Sequence, residues 1–296
     1  MAIAGKGETP AANVPAEPEA GQRLLHAAQK LPAWMEAWRR AGKLVLLLAF
    51  DGTLAPIVPR PEQAELPEAT RGALEQLQAR ADVHLAVLSG RALWDIRGRI
   101  GLPGITCAGN HGMEIEGPGI ARLHPEAAAA RPKLEQAAQM VQPLLSDFAG
   151  AWLEDKELTL SLHYRELADE RVPALTAAVL ERVSPIRGLR LTHGKKVLEV
   201  RPKAAWHKGH AVLFLLEQLR PPPGTPVLYF GDDTTDEDAF VALRDVHAGA
   251  GEGIQVADPP VLASAAGSYL RSPAEVGEQL AALAAAPELP GALPTG

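Results

Sequence analysis

Residues 44–50, Leu-Val-Leu-Leu-Leu-Ala-Phe, form an unbroken apolar run closed by Asp51-Gly52-Thr53. A strand reads this way when neither face meets water, as in a parallel sheet covered by helices on both sides. Residues 83–88 repeat the pattern and end in Ser89-Gly90-Arg91, and residues 105–108 make a third such strand. Leu74 and Leu77 place a helix between the first two strands, and a short helix fits between the second and third. This β-α-β-α-β order predicts a doubly wound, Rossmann-like α/β domain. The alternation resumes after Trp206, with a buried strand at 227–230, then Gly231-Asp232-Asp233, and short strands at 254–256 and 269–270.

The middle of the chain has a different period. Leu134, Ala138, Val141 and Leu145 recur at helical spacing, and strands at 151–155 and 158–164 follow, with Leu158, Leu160 and Leu162 alternating. A second helix carries Val172, Leu175, Val179 and Val183, before a strand pair at 189–192 and 197–200. Two helix-hairpin units in succession predict a small α+β domain with an antiparallel sheet, inserted between the third and fourth strands of the first domain. The expected division is a disordered tail at 1–20, a core at 21–122 and 203–286, an inserted cap at 123–202 and a loose tail at 287–296. Leu31, Trp34 and Trp38 share one helical face near the start and read as a packing stripe.

Composition narrows the function classes. With 296 residues, the chain suffices for one large or two modest domains. A net charge of -7 argues against a nucleic-acid partner but permits a small anion in a local basic pocket. The single cysteine, Cys107, excludes an intrachain disulfide and a cysteine metal cluster. No apolar stretch reaches the ~18 residues of a membrane span, and the start lacks the pattern of a signal peptide. A cytoplasmic monomer acting on a small molecule, with no membrane partner, is the expectation.

Parallel α/β sheets bind ligands beyond the carboxyl ends of their strands. The residues there are Asp51-Gly52-Thr53, Ser89-Gly90-Arg91, Gly109-Asn110-His111-Gly112 and Gly231-Asp232-Asp233-Thr234-Thr235-Asp236. Carboxylates gathered at one edge repel one another unless a cation joins them. A hard cation with oxygen ligands suits them, and Mg²⁺ with a substrate phosphate fits best.

These segments also carry a resemblance. Leu48-Ala49-Phe50-Asp51-Gly52-Thr53-Leu54 resembles the first signature, Asp-x-Asp-Gly-Thr, of the haloacid dehalogenase-like phosphatases. Leu88-Ser89-Gly90-Arg91 resembles the second, Lys208 in Trp206-His207-Lys208-Gly209 the third, and residues 231–238 the fourth. The fourth, together with Gly109-Asn110-His111-Gly112, Leu162-His163-Tyr164-Arg165 and Glu199-Val200-Arg201-Pro202, is similar to the trehalose 6-phosphate phosphatases. The matches keep family order over roughly residues 40–275.

The resemblance implies hydrolysis of trehalose 6-phosphate to trehalose and phosphate through an aspartyl phosphate, with Mg²⁺ as cofactor. It assigns acid–base work to Asp51, whose backbone carbonyl would also reach the metal. Phosphoryl binding falls to Ser89 and Lys208, and metal binding to Asp232 with Asp233 or Asp236. Arg91, Asn110 and His111 are expected to contact substrate. Glu154, Lys156, His163, Arg165, Lys196, Glu199 and Arg201 project from hairpin strands. Alone they read either as a solvated sheet face with cross-strand ion pairs or as a polar lid for sugar hydroxyls. The resemblance favours the lid for Glu154, Lys156 and Glu199.

One position departs from the pattern. The aspartate of the first signature is Ala49, which offers neither a nucleophile nor a metal-ligating oxygen. Losing a covalent nucleophile costs about 10⁴- to 10⁶-fold in rate. The chain is therefore expected to be nearly inactive yet able to bind substrate. An Asp→Ala substitution and a natural sugar-phosphate-binding pseudoenzyme both account for Ala49, and the intactness of the other motifs favours the first. Another capped sugar phosphatase is the remaining enzyme reading. A phosphohexomutase fits less well, since nothing indicates a second phosphate site.

Overall fold

The computed structural model describes residues 24–246 and 250–287. The expected tails, at 1–20 and at 287–296 apart from Pro287, lie outside the described residues. Strand β1 (Leu25–His26) leads through α1 (Leu31–Ala41) to β2 (Leu44–Ala49), α2 (Glu68–Gln78), β3 (Val83–Leu88), α3 (Leu93–Ile100) and β4 (Thr106–Gly109). Next come β5 (Glu114–Gly117), β6 (Ile120–Leu123), α4 (Pro125–Ala129) and α5 (Arg131–Val141). The chain continues through β7 (Trp152–Asp155), β8 (Leu160–His163), α6 (Val172–Val183), β9 (Leu189–Gly194) and β10 (Val197–Pro202). It closes with α7 (Lys208–Leu219), β11 (Val227–Gly231), α8 (Thr234–Val246), β12 (Gly251–Val256), β13 (Ser268–Leu270) and α9 (Pro273–Ala284).

The larger sheet has the order β1-β13-β12-β11-β2-β3-β4-β5-β6, parallel from β1 to β4 and antiparallel beyond. Strand β2 shows why its sequence is apolar throughout. Leu44, Leu46 and Leu48 face one helical layer together with Leu74, Leu77, Leu280 and Leu283, while Val45 and Leu47 face the other with Val212, Leu215 and Leu243. Trp34 and Trp38 of α1 are buried in the first layer, as their spacing predicts. The second sheet, β7-β8-β10-β9, is antiparallel and falls between β6 and β11 in chain order. Its inner residues Leu160, Leu162, Leu198 and Val200 pack on Leu134, Val141, Leu175 and Val179 of α5 and α6. Among the described residues, no helix is long and apolar enough to cross a membrane.

Two features depart from the expectation. The hairpin β5–β6 extends the core sheet past β4, and the two-residue β1 guards its other edge. The hairpin had a turn signal, Gly117-Pro118-Gly119, with Gly119 at φ 70°, but its strands are short and interleave charged residues as edge strands do.

His84 on β3 couples this core to pH. Burial, with Lys43 nearby, pushes its imidazole down from 6.5 to about 4. The folded state thus binds a proton less readily than the unfolded chain. Stability contributed by neutral His84 is present above pH 6.5 and lost as pH falls toward about 4. Lowering the pH from about 7 to 5 is expected to remove about 2 kcal/mol, and His84→Gln should flatten that loss. Urea denaturation at the two pH values measures it. Parallel losses in parent and variant would refute the assignment.

Candidate functional site

The core sheet reverses its winding at β2. The chain passes from β2 to β3 on one side, and β11 later fills the other. Ligand crevices form at such switch points, beyond the carboxyl ends of the strands. Here the crevice lies between Ala49-Phe50-Asp51 and Gly231-Asp232-Asp233. The two loops are very close: Gly52 has φ 74°, and a Cβ on it would overlap the Asp232 carboxylate. The second sheet covers this end and leaves a cleft of about 370 Å³ walled by both units.

On the core side, Asp236 at the start of α8 is fully buried and organises its neighbours. Its Oδ1 accepts from Lys208 Nζ and from the Tyr229 hydroxyl, each at 2.6 Å. Its Oδ2 accepts the backbone N–H groups of Asp232 and Asp233 at 3.1 and 3.0 Å. Burial works against the charge on Lys208, but Asp236 and the acids beside it hold its ammonium above the ordinary value. Burial and the same acids push the Tyr229 hydroxyl well above its usual value. Arg91 donates to both oxygens of Asp51, at 2.8 and 2.6 Å, and to Asp95 at 2.7 Å. It fixes the plane of the Asp51 carboxylate instead of presenting a free guanidinium. Ser89 Oγ accepts from the Arg91 backbone N–H at 3.1 Å, which leaves its own proton to donate into the cleft.

On the lid side, strand alternation turns polar residues away from the lid's apolar core and toward the cleft. Glu154, Ser161, Glu199 and Thr192 form one cross-strand row over β7, β8, β10 and β9. Glu199 is the centre of that row. Lys156 Nζ lies 2.7 Å from its Oε1, His111 Nε2 3.1 Å from its Oε2, and Arg201 Nε 3.6 Å away. Burial would raise the Glu199 carboxyl, but Lys156, His111 and Arg201 hold it well below the usual range. Burial keeps the His111 imidazole below its ordinary value despite Glu199. Glu154 pairs with His163 at 2.7 Å, and the His163 ring stacks on Trp152 at 4.1 Å.

Besides the His111–Glu199 pair, further contacts close the lid on the core. Lys156 Nζ donates to the Gly90 carbonyl at 2.7 Å, Arg60 pairs with Glu166 at 3.0 Å, and Lys195 Nζ reaches Asp232 Oδ2 at 2.5 Å.

All sequence-predicted site residues border the cleft except Asn110 and Asp236. Asn110 is fully buried, and its amide is spent on Glu114, on the Lys156 carbonyl and on the Thr159 hydroxyl. It fastens the lid's 156–159 turn to the core and has no group left for a ligand in this arrangement. Asp236 likewise has both oxygens engaged, by Lys208 and Tyr229 and by two backbone N–H groups. Lys196 borders the cleft, but its ammonium turns to Asp169 at 2.5 Å. Arg165 donates to the Lys195 carbonyl at 3.1 Å. Lys195, Tyr229 and Asp95 were not singled out from the sequence. Alternation along β11 gave no sign that Tyr229 would reach Asp236, whereas Lys195 lay next to a chosen lysine.

The acids show how a divalent cation would be received. Their oxygen donors suit Mg²⁺. Yet Ala49 adds none, Asp51 is held by Arg91, Asp236 is fully engaged, and Asp232 is paired with Lys195. Asp233 Oδ1 accepts from the N–H of Thr234 at 2.6 Å. Among the described residues, no three His, Cys, Asp or Glu side chains converge as a metal site. The donor chemistry is right, but the arrangement in this chain is not a metal cage.

A Rossmann-like core with acidic loops at the β2 and β11 strand ends, under a lid inserted after β6, is the architecture of the capped haloacid dehalogenase-like phosphatases. Within that class the trehalose-phosphatase family model matches residues 47–273, and the chain belongs to that family. It is 40% identical over 259 residues to the trehalose-phosphate phosphatase of Mycobacterium bovis, covering 84% of this chain and 64% of the relative. It is 44% identical over 204 residues to an uncharacterized glycosyl hydrolase of Mycobacterium tuberculosis, covering 67% of this chain and 15% of that protein. The chain thus spans less than two thirds of the length of these relatives. The C-terminal domain of C. albicans trehalose-6-phosphate phosphatase shares the fold, with a TM-score of 0.75 at 21% identity over 88% of this chain and 98% of that one.

Proposed function

We propose that the chain binds trehalose 6-phosphate in the cleft between core and lid, and that Ala49 leaves it nearly unable to hydrolyse that ligand. The observation that carries the reading is a set of buried polar atoms, donors on Arg201 and an acceptor on His111, left without a hydrogen bond. Arg201 Nε and Nη2 and His111 Nδ1 are buried without a hydrogen-bond partner, beside Glu199 in the cleft wall. Unsatisfied buried polar groups are costly, and a polyhydroxylated anion would satisfy them. Charge agrees with this. Seven lysines and arginines line the cleft against five carboxylates, in a chain whose net charge is -7. A phosphate dianion offsets that local excess.

The division of labour follows from position. Lys208 and the Ser89 hydroxyl face the phosphoryl oxygens, and Lys208 keeps its charge because Asp236 partners it. Asp51, oriented by Arg91, lines the same cleft. It would carry the proton to the leaving sugar oxygen. Glu154 and Glu199 accept from sugar hydroxyls, and Lys156 and Arg201 donate to them. The lid excludes water from the phosphoryl group. What is absent is an oxygen nucleophile at position 49, so no covalent step can begin there. Ala49 also favours a second reading, a natural binding protein that holds the sugar phosphate unhydrolysed.

Isothermal titration calorimetry tests the binding. Trehalose 6-phosphate is expected to bind at least about tenfold more tightly than trehalose or inorganic phosphate. Equal affinities for trehalose and its 6-phosphate, or no heat with any of the three, would sink the reading.

A further inference from the structure

The turn between β9 and β10 holds two lysines, since Gly194 pairs with Val197 and leaves Lys195 and Lys196 as the connecting residues. Lys196 has φ 62° and turns outward to Asp169, whereas Lys195 points inward. The Lys195 ammonium lies 2.5 Å from Asp232 Oδ2 and 3.3 Å from the Asp232 carbonyl oxygen. The Asp232 side chain is only 7% exposed. A carboxylate so placed needs a counter-charge, particularly where an incoming phosphate would repel it. Its core neighbours supply none, because Lys208 is engaged with Asp236 and Arg91 with Asp51 and Asp95. Ala49 also removes the carboxylate that would stand across the crevice and share a cation with Asp232.

We propose that Lys195 takes the charge-neutralising place of a divalent cation at Asp232, so that this chain binds its sugar phosphate without metal. The lid carries its own cation into the crevice on closing. While position 49 is alanine, Lys195 on the closed lid holds Asp232 in place of Mg²⁺. The inference rests on the sugar-phosphate reading given above and deepens it.

The test is titration calorimetry of trehalose 6-phosphate into the full chain, in EDTA and in saturating Mg²⁺. The parent should show dissociation constants that agree within about twofold between the two conditions. Lys195→Met should weaken binding at least about tenfold in EDTA, with most of the loss recovered in Mg²⁺, which can then occupy Asp232. That recovery also shows the variant to be folded. Lys195→Met combined with Asp232→Asn should regain most of the EDTA affinity, because the charge to be neutralised is gone. A parent at least about tenfold weaker in EDTA than in Mg²⁺ overturns the proposal alone. So does Lys195→Met binding equally weakly in both conditions, which would make Lys195 a sugar contact only. A double variant as weak in EDTA as Lys195→Met overturns it as well. A parent that binds in neither condition overturns the sugar-phosphate reading itself.

Discussion

Ala49→Asp is expected to raise phosphate release from trehalose 6-phosphate by about 10⁴- to 10⁶-fold over the parent, in the presence of Mg²⁺. The site around position 49 is otherwise assembled. Ala49 ends β2, is 2% exposed and borders the cleft, so a carboxylate added there meets the cleft and not the helical layers. Ser89 and Lys208 border the same space, and Asp51 follows two residues on. The new carboxylate oxygen would bond to phosphorus as the bond from phosphorus to the sugar oxygen breaks, with Asp51 protonating that oxygen. It also adds an oxygen donor near Asp232, so the gain should depend on Mg²⁺ as binding by the parent does not. Phosphate release by parent and variant, with and without EDTA, measures this. Two silent proteins that still bind the ligand would favour a natural pseudoenzyme, and an active parent would place the nucleophile elsewhere.

Asp236→Ala is expected to destabilise the fold by about 3–5 kcal/mol, lowering the melting temperature by roughly 10 °C. The cause is the number of partners it strands. Lys208 would lose its hydrogen-bonded counter-charge and keep only the more distant Asp232 and Asp233, the Tyr229 hydroxyl would lose its acceptor, and two backbone N–H groups at the start of α8 would be orphaned. Breaking a buried pair from one side costs far more than the net worth of the pair. Differential scanning calorimetry reads the effect directly. Asp236→Asn, which keeps an acceptor oxygen, should recover part of the loss. A melting point within about 2 °C of the parent would show that Lys208 has another partner.

Much of this molecule was legible as sequence because the signals are local. The run at 44–50 announced a strand buried on both faces, and the opposed layers around Leu46 and Leu47 bear that out. Helical spacing in 134–145 and 172–183 and alternation in the hairpins gave the antiparallel lid. The glycine-flanked loops after each strand pointed to one sheet edge, and the cleft lies there. Where prediction failed, the deciding partner was distant in the chain. Leu158 alternates with Leu160 and Leu162, yet it packs in the core layer with Trp206 and Val212 while the other two pack in the lid. The chain turns at Glu157, where φ is 68°, and alternation does not survive that turn. Asn110 had the composition of a ligand contact and became a fastener, because the lid brings the Lys156 carbonyl and Thr159 to it.

The sequence by itself determined the strand and helix periods, the two-unit layout, the family motifs and the absence of a carboxylate at position 49. Each is carried by residue identity or by spacing within a dozen residues, which the backbone converts directly into faces and strand ends. Only the tertiary structure decided which of two adjacent lysines enters the crevice. It also decided that Arg91 serves Asp51 and that Asp236 serves Lys208 and Tyr229. Those choices depend on strand order across β11-β2-β3, on the turn conformation at Lys196 and on where the lid comes to rest. Each of these is set by packing between segments tens to more than a hundred residues apart, which no local period records.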